Sequence, residues 1–538
     1  MIRVGILLDG LKVKQWQYEI IQYIESHANL ELTALIINAN ESKFVSPGSF
    51  FYRASQALDR KIFSVKNDAF EEVSLDKNKK NTSLFYVEGE EKRFSYKFSP
   101  RDIELVRELN LDIMIRFGFG ILRGDILNAV NYGIWSLHHG DNRINRGGPP
   151  AFWEVANRED VTGITLQKLS EDLDGGKVIK RSFIKTNTTS FYRNKNEAFW
   201  AGVELFNLAL DELSRGILKY EDEENSLQFY SHPLYKDPNN NTSIKILLKF
   251  WSRRSLEVLK EKVTIPQWYI LYKFKRNSSV EKSIFRYKKL YPPKGYDWAD
   301  PFIVKEYHKF YLFFEEIKIG SGKGHISLFE FDHKGNLINK EPVKILEEEY
   351  HLSYPFILKE GSNYYMLPES ADSDDLWLYK SEEFPKKWKK YRKIFSKKQI
   401  YDASLYFHEG YWYLFGTEKL SRGGNRDQYL HLYYAKELNA KIWTPHPLNP
   451  LSLDVRGARP AGKIFKKNGK LLRPTQIGAP KYGYGIQINE IENLSTTEFS
   501  EKKVGDIFPK WDNGLFASHT LNFVDGFTVI DAQGEIKK

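Results

Sequence analysis

The chain has 538 residues and a formal net charge of +10, which is modest for its length because 80 Lys and Arg are offset by 70 Asp and Glu. A chain this long exceeds a single hydrophobic core, so we expect two or three domains. It contains no cysteine, which excludes a disulfide framework and a thiolate metal site. The basic residues are scattered, so a nucleic-acid partner is disfavoured, whereas an anionic substrate or membrane surface fits the charge.

The segment MIRVGILLDG at the start has only a short apolar run, which ends at Asp9. A secretory signal needs a longer run, and no run in the chain approaches the roughly 18 apolar residues of a membrane span. The sequence therefore predicts no transmembrane segment, and we expect a cytoplasmic protein.

The first part of the chain has the pattern of an α/β domain. Apolar runs at 2–8 and 30–37 flank a segment in which Trp16, Ile20 and Ile24 keep the helical period. This order of strand, helix and strand is typical of a doubly wound sheet. Further along, the strand-like segments LDIMIRFGFGI and GIWSLHHGD end in glycines and polar residues. Ligands of open α/β sheets bind beyond the carboxyl ends of the strands, so we expect a site there.

The predicted domains are an α/β domain at 1–218, a linker at 219–264 and an all-β domain at 265–538. The last helix of the first domain is predicted over 197–215. The linker carries the basic amphipathic segment IKILLKFWSRRSLEVLKEK. We favour a helix that connects two domains, and peripheral attachment to a membrane surface stays open as the alternative.

The second half of the sequence is repetitive. The segments ADPFIVKEYHKFYLFFEE, SYPFILKEGSNYYMLPES and YDASLYFHEGYWYLFGTE are followed by the weaker copies ARPAGKIFKKNGKLLRPTQ and ASHTLNFVDGFTVIDAQ. Their starts are separated by 48 to 59 residues, and each copy has a short strand, a turn and a strand. Five copies predict a five-bladed β-propeller, with the strand QWYILYKF joining the last blade.

Four motifs within residues 110–180 resemble the folate-dependent formyltransferase family. That family has a strand ending in Asn-x-His, a Pro/Arg/Gly loop, a Thr-Gly-x-Thr strand and a Leu-Asp-x-Gly turn. The corresponding segments here are SLH, INRGGPP, TGIT and LDGG, in the same order. The resemblance implies a formyltransferase-like doubly wound domain. It also implies N10-formyltetrahydrofolate as co-substrate and an amine as acceptor.

The resemblance implies His138 and Asp174 as a catalytic pair and places Ser136 where the family has asparagine. In formyl transfer an attacking amine loses a proton and an oxyanion is stabilised; a histidine oriented by a carboxylate suits the first task. An amide donor suits the second, and a serine hydroxyl has a shorter reach. Three alternatives stay open: the hydroxyl or a water that it holds donates, His139 donates instead, or formyl transfer is lost or altered.

The segment RFGFG stands where the family admits folate. The resemblance therefore implies a cofactor-binding set of Arg116, Gly118, Gly120 and His139, since glycines let backbone approach a flat ring. A plain turn is the alternative explanation of the glycines. A metal site made of His138, His139 and Asp141 is disfavoured, because neighbouring side chains on a strand point apart. We predict no metal.

The repeats resemble the five-bladed folds of family 43-type glycosidases. They resemble more closely the non-transferase half of plant glucosaminyl inositol phosphorylceramide transferases, through the phrases ADPF, YPF, PES, ARPAG and RPTQ. The second position of each repeat is expected to face a central funnel, and the hairpins are expected to place Glu315 opposite Asp300 and Glu369 opposite Tyr354. The expected substrate-binding residues are Asp300, Glu315, Tyr354, Glu369, Asp402 and Arg459, with His519 as a weaker member. They suit sugar binding; glycoside hydrolysis with Asp300 as base, or plain solvation, are the alternatives.

Together these resemblances imply an enzyme that moves a formyl group from N10-formyltetrahydrofolate to an amino sugar, nucleotide- or lipid-linked, in bacterial surface-glycan synthesis. The propeller would bind the glycan acceptor. The alternatives are a glycan-binding protein with an inactive α/β domain, and a glycan-cleaving or glycosyl-transferring enzyme that works in the propeller.

Overall fold

The computed structural model describes residues 1–40, 48–76, 82–92, 95–221, 230–276, 283–420 and 424–538. The chain divides into two compact units. The first unit is Met1–Arg254, and the second is Ser255–Lys538 apart from residues 421–424. Among the described residues, no helix has both the length and the apolar character that a membrane crossing needs. The expected boundaries at 218 and 264 stay predictions.

The first unit combines helices with short and medium strands. Its helices are α1 Gln15–Ser26, α2 Phe50–Ile62, α3 Pro100–Glu108, α4 Trp153–Asn157 and α5 Phe191–Ser214, while α6 Asn240–Val263 continues into the second unit. Its strands are β1 Ile2–Leu8, β2 Lys12–Lys14, β3 Leu30–Asn38, β4 Glu72–Ser74, β5 Ser83–Val87, β6 Glu90–Lys92, β7 Ser95–Lys97, β8 Ile113–Arg116, β9 Ile121–Arg123, β10 Ile134–His138, β11 Arg146–Gly147, β12 Val161–Lys168, β13 Lys177–Lys185 and β14 Leu234–Tyr235.

A seven-stranded sheet forms the centre of the first unit. Its order is β13-β12-β10-β8-β1-β3-β5. Strands β10, β8, β1, β3 and β5 are parallel, whereas β12 runs antiparallel to both β10 and β13. The sheet is apolar on its central strands, where Leu7, Ala34 and Met114 are fully buried. The parallel strands β8 and β10 thereby bring their carboxyl ends, Arg116 and His138, to the same edge of the sheet.

Helix α5 begins earlier than its sequence pattern predicts, at Phe191 rather than at residue 197. The Ser190 side chain accepts a hydrogen bond from the Arg193 N–H, and the distant Asp59 accepts from both the Ser190 hydroxyl and the Tyr192 N–H. These bonds satisfy N–H groups of the first turn, which otherwise have no partner. The cap depends on a residue of another helix, so local sequence does not show it.

The second unit consists of antiparallel sheets. Its strands are β15 Thr264–Phe274, β16 Lys288–Leu290, β17 Tyr296–Glu306, β18 Lys309–Lys318, β19 Gly324–Asp332, β20 Val343–Leu346, β21 Ser353–Glu360, β22 Asn363–Glu369, β23 Asp375–Glu383, β24 Lys387–Ser396, β25 Ile400–His408, β26 Tyr411–Glu418, β27 Tyr429–Ala435, β28 Thr444–Pro445, β29 Phe465–Lys467, β30 Lys470–Ile477, β31 Gly485–Leu494, β32 Phe499–Ile507, β33 Leu521–Val524 and β34 Phe527–Lys537.

These strands form five four-stranded sheets among the described residues. Four sheets use consecutive strands, β17 to β20, β21 to β24, β25 to β28 and β29 to β32. The remaining sheet has the order β16-β15-β34-β33, so a strand from the start of the unit joins the last repeat, as the sequence predicts. Apolar side chains fill the space between neighbouring sheets; Phe302 and Phe313 of one sheet share a core with Phe356 and Leu367 of the next.

A β-bulge recurs at the second position of three repeats. Asp300, Tyr354 and Asp402 have left-handed φ values of 51°, 45° and 50°, and the strand register shifts at each of them. A bulge turns a side chain away from the regular alternation of a strand. It also corrects the expected pairing: Glu315 lies opposite Ala299 and Glu369 opposite Ser353, one residue before the predicted partners.

Candidate functional site

Ser136 and His138 share one face of β10. The intervening Leu137 lies against Gly202 of helix α5, as does His139. Because alternate residues of a strand point to opposite faces, the side chains of Ser136 and His138 lie on the face away from α5. The Ser136 and His138 side chains are nearly inaccessible to solvent. The face of the sheet that they share therefore forms a polar site inside the first unit.

His138 lies between two acceptors. Its Nδ1 is 3.4 Å from Asp174 Oδ1, and its Nε2 donates to the Asn145 carbonyl over 2.6 Å. A carbonyl oxygen only accepts, so Nε2 is the donor in this contact. Asp174 adopts a φ of 51°, and its Oδ2 accepts the Gly147 N–H at 2.9 Å. The structure thus brings the predicted histidine and aspartate together.

The Ser136 hydroxyl accepts hydrogen bonds from a guanidinium. Arg116, at the end of the neighbouring strand β8, donates from Nε over 3.1 Å and from Nη2 over 2.8 Å, and its Nη1 donates to the Gly120 carbonyl. Burial lowers the pKa of Arg116, while the carboxylates of Asp174 and Asp9 act in the opposite direction. Three predicted residues, one catalytic and two for the cofactor, are therefore joined in one network.

Gly118 is required by a close approach of backbone. A Cβ atom there would lie 2.5 Å from Asp9 Oδ1 and 2.6 Å from the Asp9 nitrogen. Asp9 Oδ1 in turn accepts the Phe119 N–H at 2.7 Å, and Gly120 has a φ of 55°. Asp9 thus fixes the turn after β8, a role that the sequence analysis missed. Binding of folate by Gly118 and Gly120 stays a prediction.

His139 lies on the other face of the sheet. Its ring stacks on Phe199 with centroids 3.5 Å apart and meets the edge of Trp16. Burial lowers the pKa of His139 well below its usual value, so the ring is neutral. The structure does not bring it to Ser136, His138 and Asp174, which argues against His139 as the replacement donor, as a cofactor contact and as a metal partner of His138.

A second polar cluster surrounds Arg459 in the second unit. The guanidinium donates to Asp402 from Nε over 2.6 Å and from Nη2 over 3.1 Å, and to Asp427 from Nη1 over 2.6 Å. Glu369 Oε2 lies 3.5 Å from Nη2. Burial and the Asp402 carboxylate raise the pKa of Glu369 to about 7, against the opposing effect of Arg459. Three of the predicted funnel residues are therefore in contact.

Asp300 lies in an adjoining network with His519. Its carboxylate accepts the Tyr354 N–H at 3.2 Å and the Thr520 hydroxyl at 2.6 Å. His519 Nδ1 is 3.8 Å from Asp300 and 2.5 Å from Asp531. Burial lowers the pKa of His519, but the Asp531 and Asp300 carboxylates raise it more strongly, to about 9. Burial raises the pKa of Asp300 to about 6, with His519 opposing.

Asp300, His519 and Asp531 are the described residues whose ligand atoms lie close enough together to share a cation. Those atoms already pair with one another or with Thr520 and Tyr354, as the distances above show. Two carboxylates could bind a hard cation such as Ca²⁺. Here, however, the ligand atoms of all three residues already have hydrogen-bond partners in the protein. We assign no metal to it.

The two remaining predicted residues are Tyr354 and Glu315. Tyr354 is fully buried, and its hydroxyl accepts the Gly462 N–H at 2.6 Å and lies 2.9 Å from Ser404 Oγ, so it connects repeats rather than facing a ligand. The Glu315 side chain lies 3.4 Å from His351. Burial, with Asp300 and Glu369 nearby, raises the pKa of Glu315 well above its usual value.

Sequence reasoning missed Asp427, Asp531 and Thr520, which have no fixed spacing from the residues that they bind. Gln476 donates to Asp402 over 2.5 Å. It is the last residue of the RPTQ phrase, so the sequence resemblance could have indicated it.

Comparison with known proteins finds relatives of two kinds. Residues 293–518 match the family model "Glucosamine inositolphosphorylceramide transferase 1, N-terminal". A protein of that name from Arabidopsis thaliana is 34% identical over 209 residues, which are 38% of this chain and 27% of that protein. A methionyl-tRNA formyltransferase from Citrifermentans bemidjiense is 29% identical over 180 residues, which are 32% of this chain and 53% of that protein.

Both resemblances drawn from the sequence are confirmed. The chain spans about a quarter of the transferase and about half of the formyltransferase that it matches. Similar solved structures include an N-formyltransferase from Helicobacter canadensis (14% identity, TM-score 0.29, covering 64% of this chain and 100% of that one). They also include an exo-beta-1,3-galactanase from Clostridium thermocellum (12% identity, TM-score 0.31, covering 44% and 59%).

Proposed function

We propose that the first unit transfers a formyl group from N10-formyltetrahydrofolate to the amine of an amino sugar, nucleotide- or lipid-linked, as a step of surface-glycan synthesis. The observation that carries the proposal is the His138 and Asp174 pair, 3.4 Å apart. It lies on the same face of β10 as the Ser136 hydroxyl that Arg116 binds. The sequence similarity to methionyl-tRNA formyltransferases supports the reaction class.

The reaction joins the acceptor nitrogen to the formyl carbon and breaks the bond between that carbon and the folate nitrogen. In the proposed mechanism Arg116 donates N–H groups to the oxygen on which negative charge develops, and Ser136 fixes the guanidinium. Donors arranged in advance around such an oxygen stabilise the transition state strongly. His138, oriented by Asp174, takes up the proton that the amine loses and passes it to the leaving nitrogen.

For His138 to accept a proton, the Asn145 carbonyl must move away from Nε2, and the neutral ring must carry its single proton on Nδ1, toward Asp174, so that the Nε2 lone pair is free. Hydrogen bonds of catalytic groups commonly rearrange when substrate binds. In the proposal the acceptor amine displaces this carbonyl, so the loop that carries it responds to the acceptor.

For the second unit we propose recognition of the glycan part of the acceptor. Its buried carboxylates and Arg459 offer both acceptors and donors to sugar hydroxyls. We further propose that its five sheets close into a five-bladed propeller. Pairing of β15 with β34 and the contacts of β17 with both β21 and β34 support this arrangement.

The test is incubation of the full chain with N10-formyltetrahydrofolate and a panel of amino-sugar nucleotides, with mass spectrometry to detect one added formyl group. Product is expected with the unaltered chain and is expected to be lost in Asp174→Asn. Thermal stabilisation by a tetrahydrofolate analogue is the accompanying binding measurement. If no amine is formylated and no analogue stabilises the chain, the first unit does not have this activity.

A second candidate is glycosyl transfer or glycoside cleavage in the second unit. It is favoured by the pKa values of Asp300 and Glu369, raised to about 6 and about 7, which suit proton transfer near neutral pH. The two candidates separate on two variants. Loss of turnover in Asp300→Asn with full turnover in His138→Ala supports the second candidate, and the reverse pattern supports formyl transfer.

A further inference from the structure

Helices α2 and α6 of the first unit begin side by side. The hydroxyl of Ser49, the residue before α2, donates to the Pro238 carbonyl at 2.9 Å, and the Phe51 N–H donates to Asn240 Oδ1 at 3.2 Å. Ser49 Oγ also lies 3.3 Å from Ser243 Oγ. These bonds fix the first turns of the two helices against each other, so their outer faces form one surface.

That surface is unusually apolar for one that faces solvent. Phe50 is 67% exposed, Leu58 52% and Leu248 68%. Between the helices lies a cavity of about 200 Å³ whose lining includes Phe51, Leu58 and Trp251, all of them partly exposed. A contiguous exposed apolar patch with aromatic residues marks a binding surface, whereas single exposed apolar residues do not.

The charges on α2 and on the part of α6 that belongs to the first unit are almost all positive, whereas the rest of α6 has Glu257 and Glu261 beside Lys260 and Lys262. Helix α2 and residues 240–254 of α6 carry seven basic residues: Arg53, Arg60, Lys61, Lys245, Lys249, Arg253 and Arg254. Their single acidic residue, Asp59, is buried and bound to Ser190 and Tyr192. Arg60 pairs with Asp68. The surface therefore presents exposed aromatic and aliphatic groups within a strongly basic surround.

We propose that this surface, which we call the α2–α6 face, docks the protein on an anionic lipid bilayer. Apolar and aromatic side chains that enter the interface, with lysines and arginines beside them, are what such a surface requires. A second copy of the same face would bring two sets of positive charges together. The charge therefore favours an anionic bilayer over a second copy of the chain as the binding partner. The inference goes beyond formyl transfer and does not depend on it.

The absence of cysteine from the chain permits a direct measurement. Leu58→Cys in the full chain, labelled with an environment-sensitive fluorophore, is mixed with vesicles of phosphatidylcholine alone or with phosphatidylglycerol added. A blue shift is expected with the anionic vesicles only, and it weakens as salt screens the attraction. The matched control is Tyr86→Cys on β5, where the native side chain is 58% exposed; its label is expected to be unaffected.

The charge requirement is tested by vesicle sedimentation of Lys245→Gln/Lys249→Gln. Each lysine near an anionic surface contributes about fivefold to partitioning, so a loss of about 30-fold is expected. Lys334→Gln/Lys340→Gln, which changes two exposed lysines of the second unit, is the control that keeps binding.

Three results overturn the proposal. The first is equal binding to neutral and anionic vesicles, and the second is binding to neither. The third is a label shift at Leu58→Cys that follows protein concentration without vesicles, which assigns the face to a second copy of the chain.

Discussion

The Arg116 guanidinium donates two hydrogen bonds to the Ser136 hydroxyl, over 3.1 and 2.8 Å, from the adjacent strand of the central sheet. Ser136 stands at the position where the formyltransferase pattern has an asparagine. The pairing thus brings N–H donors to a strand position whose own side chain carries no amide. In the proposed mechanism the guanidinium takes the task of that amide, and Ser136 orients it.

Replacing Arg116 with lysine is expected to lower kcat for formyl transfer by about 10²–10³, the effect of losing one oxyanion donor. An ammonium is a point charge and cannot bind Ser136 and Gly120 as the planar guanidinium does. Steady-state kinetics measures the change, with KM for the acceptor nearly unaltered. Ser136→Asn with Arg116 intact is the companion variant and is expected to stay active. Full activity in Arg116→Lys contradicts the assignment.

Replacing Asp174 with asparagine is expected to lower kcat by about 10²–10⁴, because the imidazole of His138 loses the carboxylate that orients its protons. The exposed neighbour Asp172, changed to asparagine in the same turn, serves as the control and is expected to retain activity. Rates of formyl transfer for the two variants decide the matter. Equal rates would remove Asp174 from the mechanism.

The second unit is expected to become less stable as pH rises from 6.5 to 9.5. The folded pKa of His519 is about 9 against 6.5 for the unfolded chain. Its contribution is therefore fully present below pH 6.5 and lost as pH rises through 9, about 3 kcal/mol in all. The raised pKa values of Asp300 and Glu369 also make the unit less stable as pH rises, but at lower pH, up to about 6 for Asp300 and about 7 for Glu369.

Calorimetry across this range measures the effect of His519. In His519→Gln the fall in Tm above pH 6.5 is expected to flatten, because that variant carries no imidazolium to lose. A midpoint in the unaltered chain that stays constant or rises over the same range is incompatible with the proposed imidazolium.

Arg459→Leu is expected to destabilise the second unit by about 3–5 kcal/mol, since it leaves the buried carboxylate of Asp402 and the partly buried carboxylate of Asp427 without their cation. Arg456→Leu is the matched control. Its partner is Asp454 and its side chain is 43% exposed, so a change of at most about 1 kcal/mol is expected. Denaturant titration of both variants gives the comparison, and equal losses would refute the ranking.

Local pattern was sufficient for much of the fold. The helical period at Trp16, Ile20 and Ile24 falls within α1, and the repeats correspond to sheets of four strands. The early start of α5 could not be predicted from local pattern, because Asp59 of another helix completes the cap. The predicted partners of Glu315 and Glu369 were wrong by one residue because a β-bulge shifts the register of each strand pair. The bulges lie at Asp300 and Tyr354, and an aspartate or a tyrosine in a strand pattern does not by itself predict a bulge.

The candidate sites were accessible from sequence only where a motif carried them. His138 and Asp174 were found through the order of four motifs, and the structure places them 3.4 Å apart. Arg116 was placed near folate, but its bond to Ser136 depends on the order of strands in the sheet. Likewise Asp531 binds His519 across the hairpin of β33 and β34, a relationship that only the register determines.

The pairing of β15 with β34 along eleven residues, from Thr264 opposite Lys537 to Phe274 opposite Phe527, has a consequence for synthesis. The ribosome makes β15 first and β34 last among the strands of the second unit. The sheet that contains both is unable to form until the final strand has emerged, so β15 waits with an unpaired edge throughout translation. Exposed edges of this kind invite wrong partners, which makes the nascent chain a natural client for chaperones.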